Sequence, residues 1–306
     1  MGCPDFAVPS LQELVKDDDC DVIAVYCMPD KPKGRGRKPS PTPVKACALK
    51  HGIEVNTPAS FRKFPEEIDK LRSYKPDFII VVAYGLILPQ SVLDIPSIAA
   101  VNVHASILPA YRGPAPIHHA IMNGDKVTGN SIMLMNSKMD EGDILAVSRV
   151  SIEPADNLET LHDKLSIDGS KLLIPTIKDF ARQKLQPTPQ NHEQATYTGK
   201  ISSQTAKIDW NKTADEVHNL IRAMCPFPGA WFMDKKERIK VFASFPGSEL
   251  QLPPGELAVD KKQIQVACRN NTSIYLLELQ RPGKARVKAE DFLRGYKFRQ
   301  NNLAAD

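Results

Sequence analysis

Two runs restrict the possible folds of this chain more than any other feature: residues 78–83 (FIIVVA) and 98–104 (IAAVNVH), each nearly continuous in apolar side chains. A strand that is apolar at successive positions must be covered on both faces, which is the situation of strands in a sheet sandwiched by helices. A third run, 21–27 (DVIAVYC), and helical patterns at 9–16, 43–51 and 115–122 alternate with them. This alternation predicts an α/β architecture of β-α-β units around a parallel sheet. The helix ends are well marked. Thr42 caps the second helix, Pro43 takes its first position and Gly52 follows its end, while Gly124 closes the third. A long helical region, 158–182, opens on Asp156-x-x-Glu159, read as a capping box, and its leucines at 158, 161, 165, 172 and 173 are read as core.

Over 183–204 the periodicity fails and a polar, proline-broken stretch follows. The expected organisation is a domain over 1–182, a linker over 183–204 and a second domain over 205–306. The second holds one helix (213–224), the run CPFPGAW and short strands at 238–243, 263–267 and 273–279, which predicts a small β-barrel. Phe227 and Trp231, beside Pro and Gly, are read as local core.

No apolar run approaches the ~18 residues of a membrane-spanning helix, so no membrane association is expected. Six scattered cysteines without C-x-x-C spacing argue for reduced thiols, against a metal site and for a cytoplasmic protein. The charge is uneven. Residues 201–306 hold 17 basic and 12 acidic side chains, against 23 and 24 in 1–200. Between 281 and 299, Arg281, Lys284, Arg286, Lys288, Arg294, Lys297 and Arg299 face only Glu290 and Asp291. A second basic segment, 31–45 (KPKGRGRKPSPTPVK), has no acid and is broken by Gly and Pro, so it is expected to be an exposed, mobile loop able to meet phosphates. Both point to a polyanionic partner.

The sharpest chemical signal is Asn102-Val103-His104. Alternation along a strand puts Asn102 and His104 on one side, at the carboxyl end where open parallel sheets bind ligands. A second polar cluster, 139–143 (MDEGD), is an ordinary turn sequence, and spacing alone does not bring it to His104.

The runs GCPDFAVPSL, PDKPKGRG, SPTPVK, VVAYGLILP, NVHASILPAYRGPAPIHHAI, MDEGDIL and RAMCPFPGAW together resemble the methionyl-tRNA formyltransferase family, over nearly the whole chain. The N-x-H-x-S-x-L-P run is shared by 10-formyltetrahydrofolate-dependent formyltransferases in general; the basic insertion and the C-terminal domain resemble the tRNA-specific branch. The resemblance implies a Rossmann-like catalytic domain followed by an OB-like barrel, and formyl transfer from 10-formyltetrahydrofolate to methionyl-initiator tRNA by a monomer without metal. It implies a catalytic trio of Asn102, His104 and Asp140, and a folate site beside Val82, Tyr84, Gly85, Leu86, Leu88 and Pro89 and the turn Ser106, Ile107, Leu108 and Pro109. It also implies tRNA contacts from Lys33, Arg35, Arg37 and Lys38, joined on charge grounds by Arg294, Lys297 and Arg299. A glycinamide nucleotide or amino-sugar acceptor would keep the trio but have no use for the basic segments.

Three departures stand out. Family members carry a strand ahead of the G-x-P-D-F run, whereas only Met1 precedes Gly2 here, so the expectation is a sheet without its first strand and with the neighbouring ladder edges open. Ala110 stands where a basic residue is common, and Glu141 where Thr is usual.

Overall fold

The computed structural model describes residues 1–33 and 38–304, and the chain folds into two compact units. The first comprises 1–113, 127–151 and 162–198; the second comprises 114–126, 152–161 and 199–306. No helix among the described residues is long and apolar enough to cross a membrane, and all six cysteines are free thiols.

In the first unit, β1 (Ala24–Tyr26) pairs in parallel with β2 (Glu54–Asn56), and β3 (Phe78–Val81) in parallel with β4 (Ala99–His104). β5 (Ser131–Leu134) and β6 (Ile144–Val147) then extend the sheet antiparallel, in the order β3-β4-β5-β6. The expected parallel sheet is therefore mixed. Residues 135–143 join β5 to β6 without a crossover helix, and such a short return forces neighbouring strands to be antiparallel.

The expected helices form. α1 (Val8–Lys16) and α2 (Pro43–Lys50) lie on the first unit, and the Thr42 hydroxyl accepts from Lys45 N as read from sequence. The long helix Leu158–Ala181 forms too, but its cap is Asn157 rather than Asp156. The Asn157 side-chain oxygen accepts from Thr160 N, and Thr160 Oγ1 accepts from Asn157 N.

Between β1 and β3, Met1 and Gly2 continue the backbone ladder among the described residues. Gly2 N donates to Tyr26 O, Val82 N to Met1 O and the terminal amine to Ile80 O. Beside this short bridge lies a cavity of about 490 Å³, lined by apolar side chains that include Leu11, Val25, Phe78 and Ile80. Burial pushes the Met1 amine down to about 6.

The basic segment is more ordered at its ends than its composition predicts. Lys31–Lys33 pairs antiparallel with Lys38–Ser40, with Pro32 opposite Pro39. Two prolines can face each other in a ribbon because at a non-hydrogen-bonded pair neither N–H is asked to donate. At its base Lys45 Nζ meets Asp30 Oδ2 at 2.8 Å. Arg35 and Arg37 lie outside the described residues, and of Lys33 and Lys38 only the backbone is described.

The second unit is an antiparallel half-barrel. β7 (Ala230–Asp234), β8 (Glu237–Pro246), β9 (Leu257–Val259), β10 (Ile264–Ala267), β11 (Ser273–Gln280) and β12 (Arg286–Lys288) form one sheet in the order β7-β8-β11-β10-β9, with β12 on β11. A register shift near Ala243 bends the long strand β8. The helix Ala214–Ala223, with a Thr213/Glu216 capping box, packs Val217 and Ile221 into the core. Trp231 is buried as expected, but Phe227 is 77% exposed and is not core.

On that helix His218 shares a hydrogen bond with Ser244 Oγ at 2.9 Å, and burial together with nearby Arg222 lowers its pKa to about 4. The folded state thus resists a proton that the unfolded chain accepts near about 6.5. Its contribution to stability is intact above that value and is lost as the pH falls toward 4, by at most about 3 kcal/mol. In thermal melts between pH 7 and 4, His218→Gln is expected to lose less Tm on acidification than the parent.

Candidate active site

Val101 and Val103 are buried on one side of β4, and Asn102 and His104 share the other, as alternation requires. Asn102 is partly accessible and its side chain has no hydrogen-bond partner among the described residues, so both amide hydrogens are available. His104 is buried. Its Nε2 lies 2.9 Å from Tyr111 O and its Nδ1 3.8 Å from Asp140 Oδ1. A carbonyl only accepts, so Nε2 carries the proton in this pose and the Nδ1 edge faces the carboxylate beyond direct hydrogen-bond reach. Tyr111 presents that carbonyl from the left-handed region, at φ +60°, a rare conformation for a bulky side chain.

The loop 135–143 brings Asp140 back to this face. Its second oxygen, Oδ2, accepts from Gly113 N at 2.8 Å, so one carboxylate spans the backbone after Arg112 and the imidazole. Asp140 itself has φ +55°. Two residues on, a Cβ on Gly142 would come within 1.8 Å of Leu134 O, so this position admits only glycine. Sequence spacing could not place Asp140; the fold does.

The turn after β4 is pinned from within. Ser131 Oγ donates to Ser106 O and accepts from Leu108 N, and Ser106 Oγ donates to Ala110 O. The expected folate-side residues accordingly divide in two. Val82, Tyr84, Leu88, Ser106 and Leu108 are buried and support the surface from below, whereas Gly85, Leu86, Pro89, Ile107 and Pro109 keep accessible area. Ile87, in the same segment but not among the expected residues, is 73% exposed. Val81 lies opposite Asn102 in the parallel β3–β4 pair, so segment 82–89 leaves the sheet beside the Asn102–His104 end.

Sequence reading missed a supporting cluster. Arg112, within LPAYRG, is fully buried, with Gln190, His192, Tyr197 and Glu141 around its guanidinium. Gln190 lies in the stretch read as a linker. Residues 183–198 fall with the first unit, and there Thr188 pairs with Ile144 and Tyr197 with Arg112.

The basic stripe of the second unit is partly neutralised. Arg294 meets Glu290 and Asp291 at 2.8 and 2.9 Å, Arg299 and Arg281 share Glu237 at 3.0 and 2.7 Å, and Arg286 pairs with Glu278. The two guanidiniums hold the Glu237 carboxyl below its ordinary range. Lys284, Lys288 and Lys297 have no carboxylate partner among the described residues. A cavity of about 650 Å³ lies against Arg294 and Lys297. Neither this cavity nor the one beside Met1 is lined by Asn102, His104 or Asp140.

A mixed α/β sheet with an Asn-x-His strand end, an aspartate loop returned to it and an antiparallel half-barrel after it define a formyl transferase. The formyl transferase family model matches residues 2–177, and the formyl transferase C-terminal domain model matches 200–297. The chain belongs to the methionyl-tRNA formyltransferase family. It is 44% identical over 300 residues to the methionyl-tRNA formyltransferase of Bacillus subtilis, covering 96% of this chain and 93% of that one. Its identity to the methionyl-tRNA formyltransferase of Caldanaerobacter subterraneus subsp. tengcongensis is 41% over 308 residues, covering 99% and 98%. Among solved structures, an N-formyltransferase from Helicobacter canadensis in complex with folinic acid and dTDP-3-aminofucose superposes with a TM-score of 0.65 at 19% identity, covering 92% of this chain and 97% of that one, a likeness of fold.

Gly142→Ala is expected to lower formyl-transfer turnover at least ~10-fold, because the loop must move by an ångström or more to relieve the clash with Leu134 O. Steady-state kinetics with a melting curve on the same sample checks it.

Proposed function

We propose that this chain transfers the formyl group of 10-formyltetrahydrofolate to the α-amine of methionyl-initiator tRNA, acting as a monomer in the cytoplasm, with Asn102, His104 and Asp140 as its catalytic residues. The supporting observation is the convergence of these three side chains on one rim in a chain whose close full-length relatives are methionyl-tRNA formyltransferases.

The rim suits a flat, partly apolar co-substrate. Ile87 is an exposed aliphatic side chain, Gly85 turns the backbone at φ +90°, and Leu86, Ile107 and Pro109, on the segments that follow β3 and β4, keep accessible area. When bound, the folate supplies the one-carbon acyl group and the aminoacyl-tRNA the attacking amine; the donors and the proton acceptor belong to the chain.

A free α-amine has a pKa of about 7.7–8.0 and the adjacent ester lowers it, so much of it is already neutral at pH 7. Recovering the rest is worth about 1 kcal/mol or less, whereas a donor aimed at a developing oxyanion is worth ~2.7–4 kcal/mol. The electrophile is the larger lever. Asn102 offers an unengaged amide N–H to the acyl oxygen as negative charge builds there. His104 becomes the second donor by exchanging Tyr111 O for that oxygen, with its Nε2 proton already in place. Asp140 faces the other ring edge and accepts, through a water, the proton shed by the amine as its bond to the formyl carbon forms; the same proton is returned to N10 of the folate as the N10–formyl carbon bond breaks, so tetrahydrofolate leaves as a neutral amine.

Methionyl-initiator tRNA, glycinamide ribonucleotide and an amino-sugar nucleotide, each incubated with 10-formyltetrahydrofolate, test the acceptor. Formylation of the tRNA alone is the expected outcome, and preference for either small amine would refute the reading. Asn102→Ala and His104→Ala are each expected to cut kcat at least ~100-fold with little change in tRNA affinity. Turnover within a few-fold of the parent for His104→Ala would remove it from the mechanism.

The basic segment and the C-terminal stripe are assigned to phosphates of the acceptor end, so affinity should fall with salt. Replacing Arg294, Lys297 and Arg299 by Gln is expected to flatten the plot of log K against log salt. An unchanged slope in filter binding would take the stripe off the contact surface.

A further inference from the structure

We propose that Gln190, oriented by the buried Arg112, is a positioning residue that holds the Asp140 loop in its working geometry; the inference rests on Asp140 being one of the catalytic residues.

Arg112 has no exposed surface, yet its closest hydrogen-bond partners are neutral. Nε and Nη2 donate to Gln190 Oε1 at 3.0 and 2.8 Å, Nη1 to Tyr197 OH at 2.8 Å and Nη2 to His192 Nδ1 at 3.0 Å. The nearest carboxylate, Glu141, stands off at 3.6 Å. A guanidinium can only donate, so the two bonds to one oxygen fix which end of the Gln190 amide faces Arg112. The NH₂ group is thereby turned toward the loop, where its two hydrogens go to Asp140 O at 2.9 Å and Gly142 O at 2.7 Å. One amide thus grips the main chain on both sides of Glu141, and every one of its polar positions is used.

The loop needs such a grip. Asp140 is a non-glycine residue in the left-handed region, and Gly142 packs directly against the backbone of β5. The Asp140 carboxylate meets Gly113 N, the residue after Arg112, so the side chain and the main chain of this short segment act on the same aspartate from two directions. The carrier of Gln190 is itself anchored. Thr188 N and O bond to Ile144, and Tyr111 N donates to Thr196 Oγ1 at 2.8 Å. A loss of Gln190 therefore leaves its segment in place and removes the grip on the loop together with the oxygen that takes two of the Arg112 hydrogen bonds.

The discriminating variant is Gln190→Glu. Its carboxylate keeps, and strengthens, the partner of Arg112 but sets negative oxygens against the carbonyls of Asp140 and Gly142, which releases the loop without orphaning the buried cation. The expected result is a melting temperature within a few degrees of the parent, kcat reduced at least tenfold, and KM for both 10-formyltetrahydrofolate and methionyl-tRNA within threefold. Gln190→Met, which keeps the volume and loses all the hydrogen bonds, is the second arm should the first not fold.

Each variant is also made on Asp140→Asn, with single-turnover rates measured. A positioning residue acts through its target, so the double variants should lose less than twofold beyond Asp140→Asn alone. Parental kcat in the folded Gln190 variants, or a full additional loss on Asp140→Asn, overturns the proposal. Near-parental turnover of Asp140→Asn by itself instead overturns the catalytic reading beneath it, so the two failures are told apart.

Discussion

A single carboxylate spanning a backbone N–H and the edge of an imidazole is the constraint on which the rest of the candidate site depends. Asp140 reaches Gly113 N with one oxygen and faces His104 with the other, and it does so from a backbone conformation that few residues occupy. Each neighbouring peculiarity makes sense as a condition for that contact. Gly142 lacks a side chain because Leu134 O occupies the space, and Gly113, at φ +105°, lies so close to Thr198 O that a Cβ would fall at 2.6 Å. Arg112 is driven into the interior where its charge is costly, and it is tolerated because all its nearest acceptors are aligned. Replacing such a cluster by well-packed apolar residues would often cost no stability. What it would lose is direction, the fixed path of a loop that has no regular structure of its own.

The elements visible in the sequence are those whose periodicity is set by their own burial. β3 and the first residues of β4 are apolar because little of either face meets solvent, and Asn102 and His104 stand out as two polar residues on such a strand. Strand direction is a different matter. An apolar run such as 131–134 reads the same in either sense, so the switch from parallel to antiparallel at β5 depends on the connection and is absent from the pattern. Asp140 was legible only through likeness to a family, since Asp-x-Gly-Asp is common turn chemistry and carries no information about what the turn will touch. Gln190 and Arg112 were not legible. A glutamine in a polar, proline-rich stretch looks like solvent-facing linker, and an arginine in a turn looks exposed; the burial of each is created by the other. The cap of the long helix was misplaced by one residue because Asp156 and Asn157 are both good caps, and the choice falls to whichever side chain the fold leaves free.

Charge in the second unit divides by residue type in a way that bears on recognition. The arginines of the 281–299 stripe are engaged by Glu237, Glu278, Glu290 and Asp291, while Lys284, Lys288 and Lys297 have no such partners among the described residues. An ion pair has little field a few ångströms away, so the attraction this stripe exerts within a Debye length of about 8–10 Å comes chiefly from the lysines. The paired arginines keep donors of fixed geometry, because a guanidinium has five N–H groups and a carboxylate engages at most two of them at once. A polyanion drawn in by the lysines would thus meet arginines already held in place by their carboxylates, with less side-chain entropy to lose on contact than free arginines have. For such a partner the four carboxylates would weaken the far field modestly and preorganise the near one.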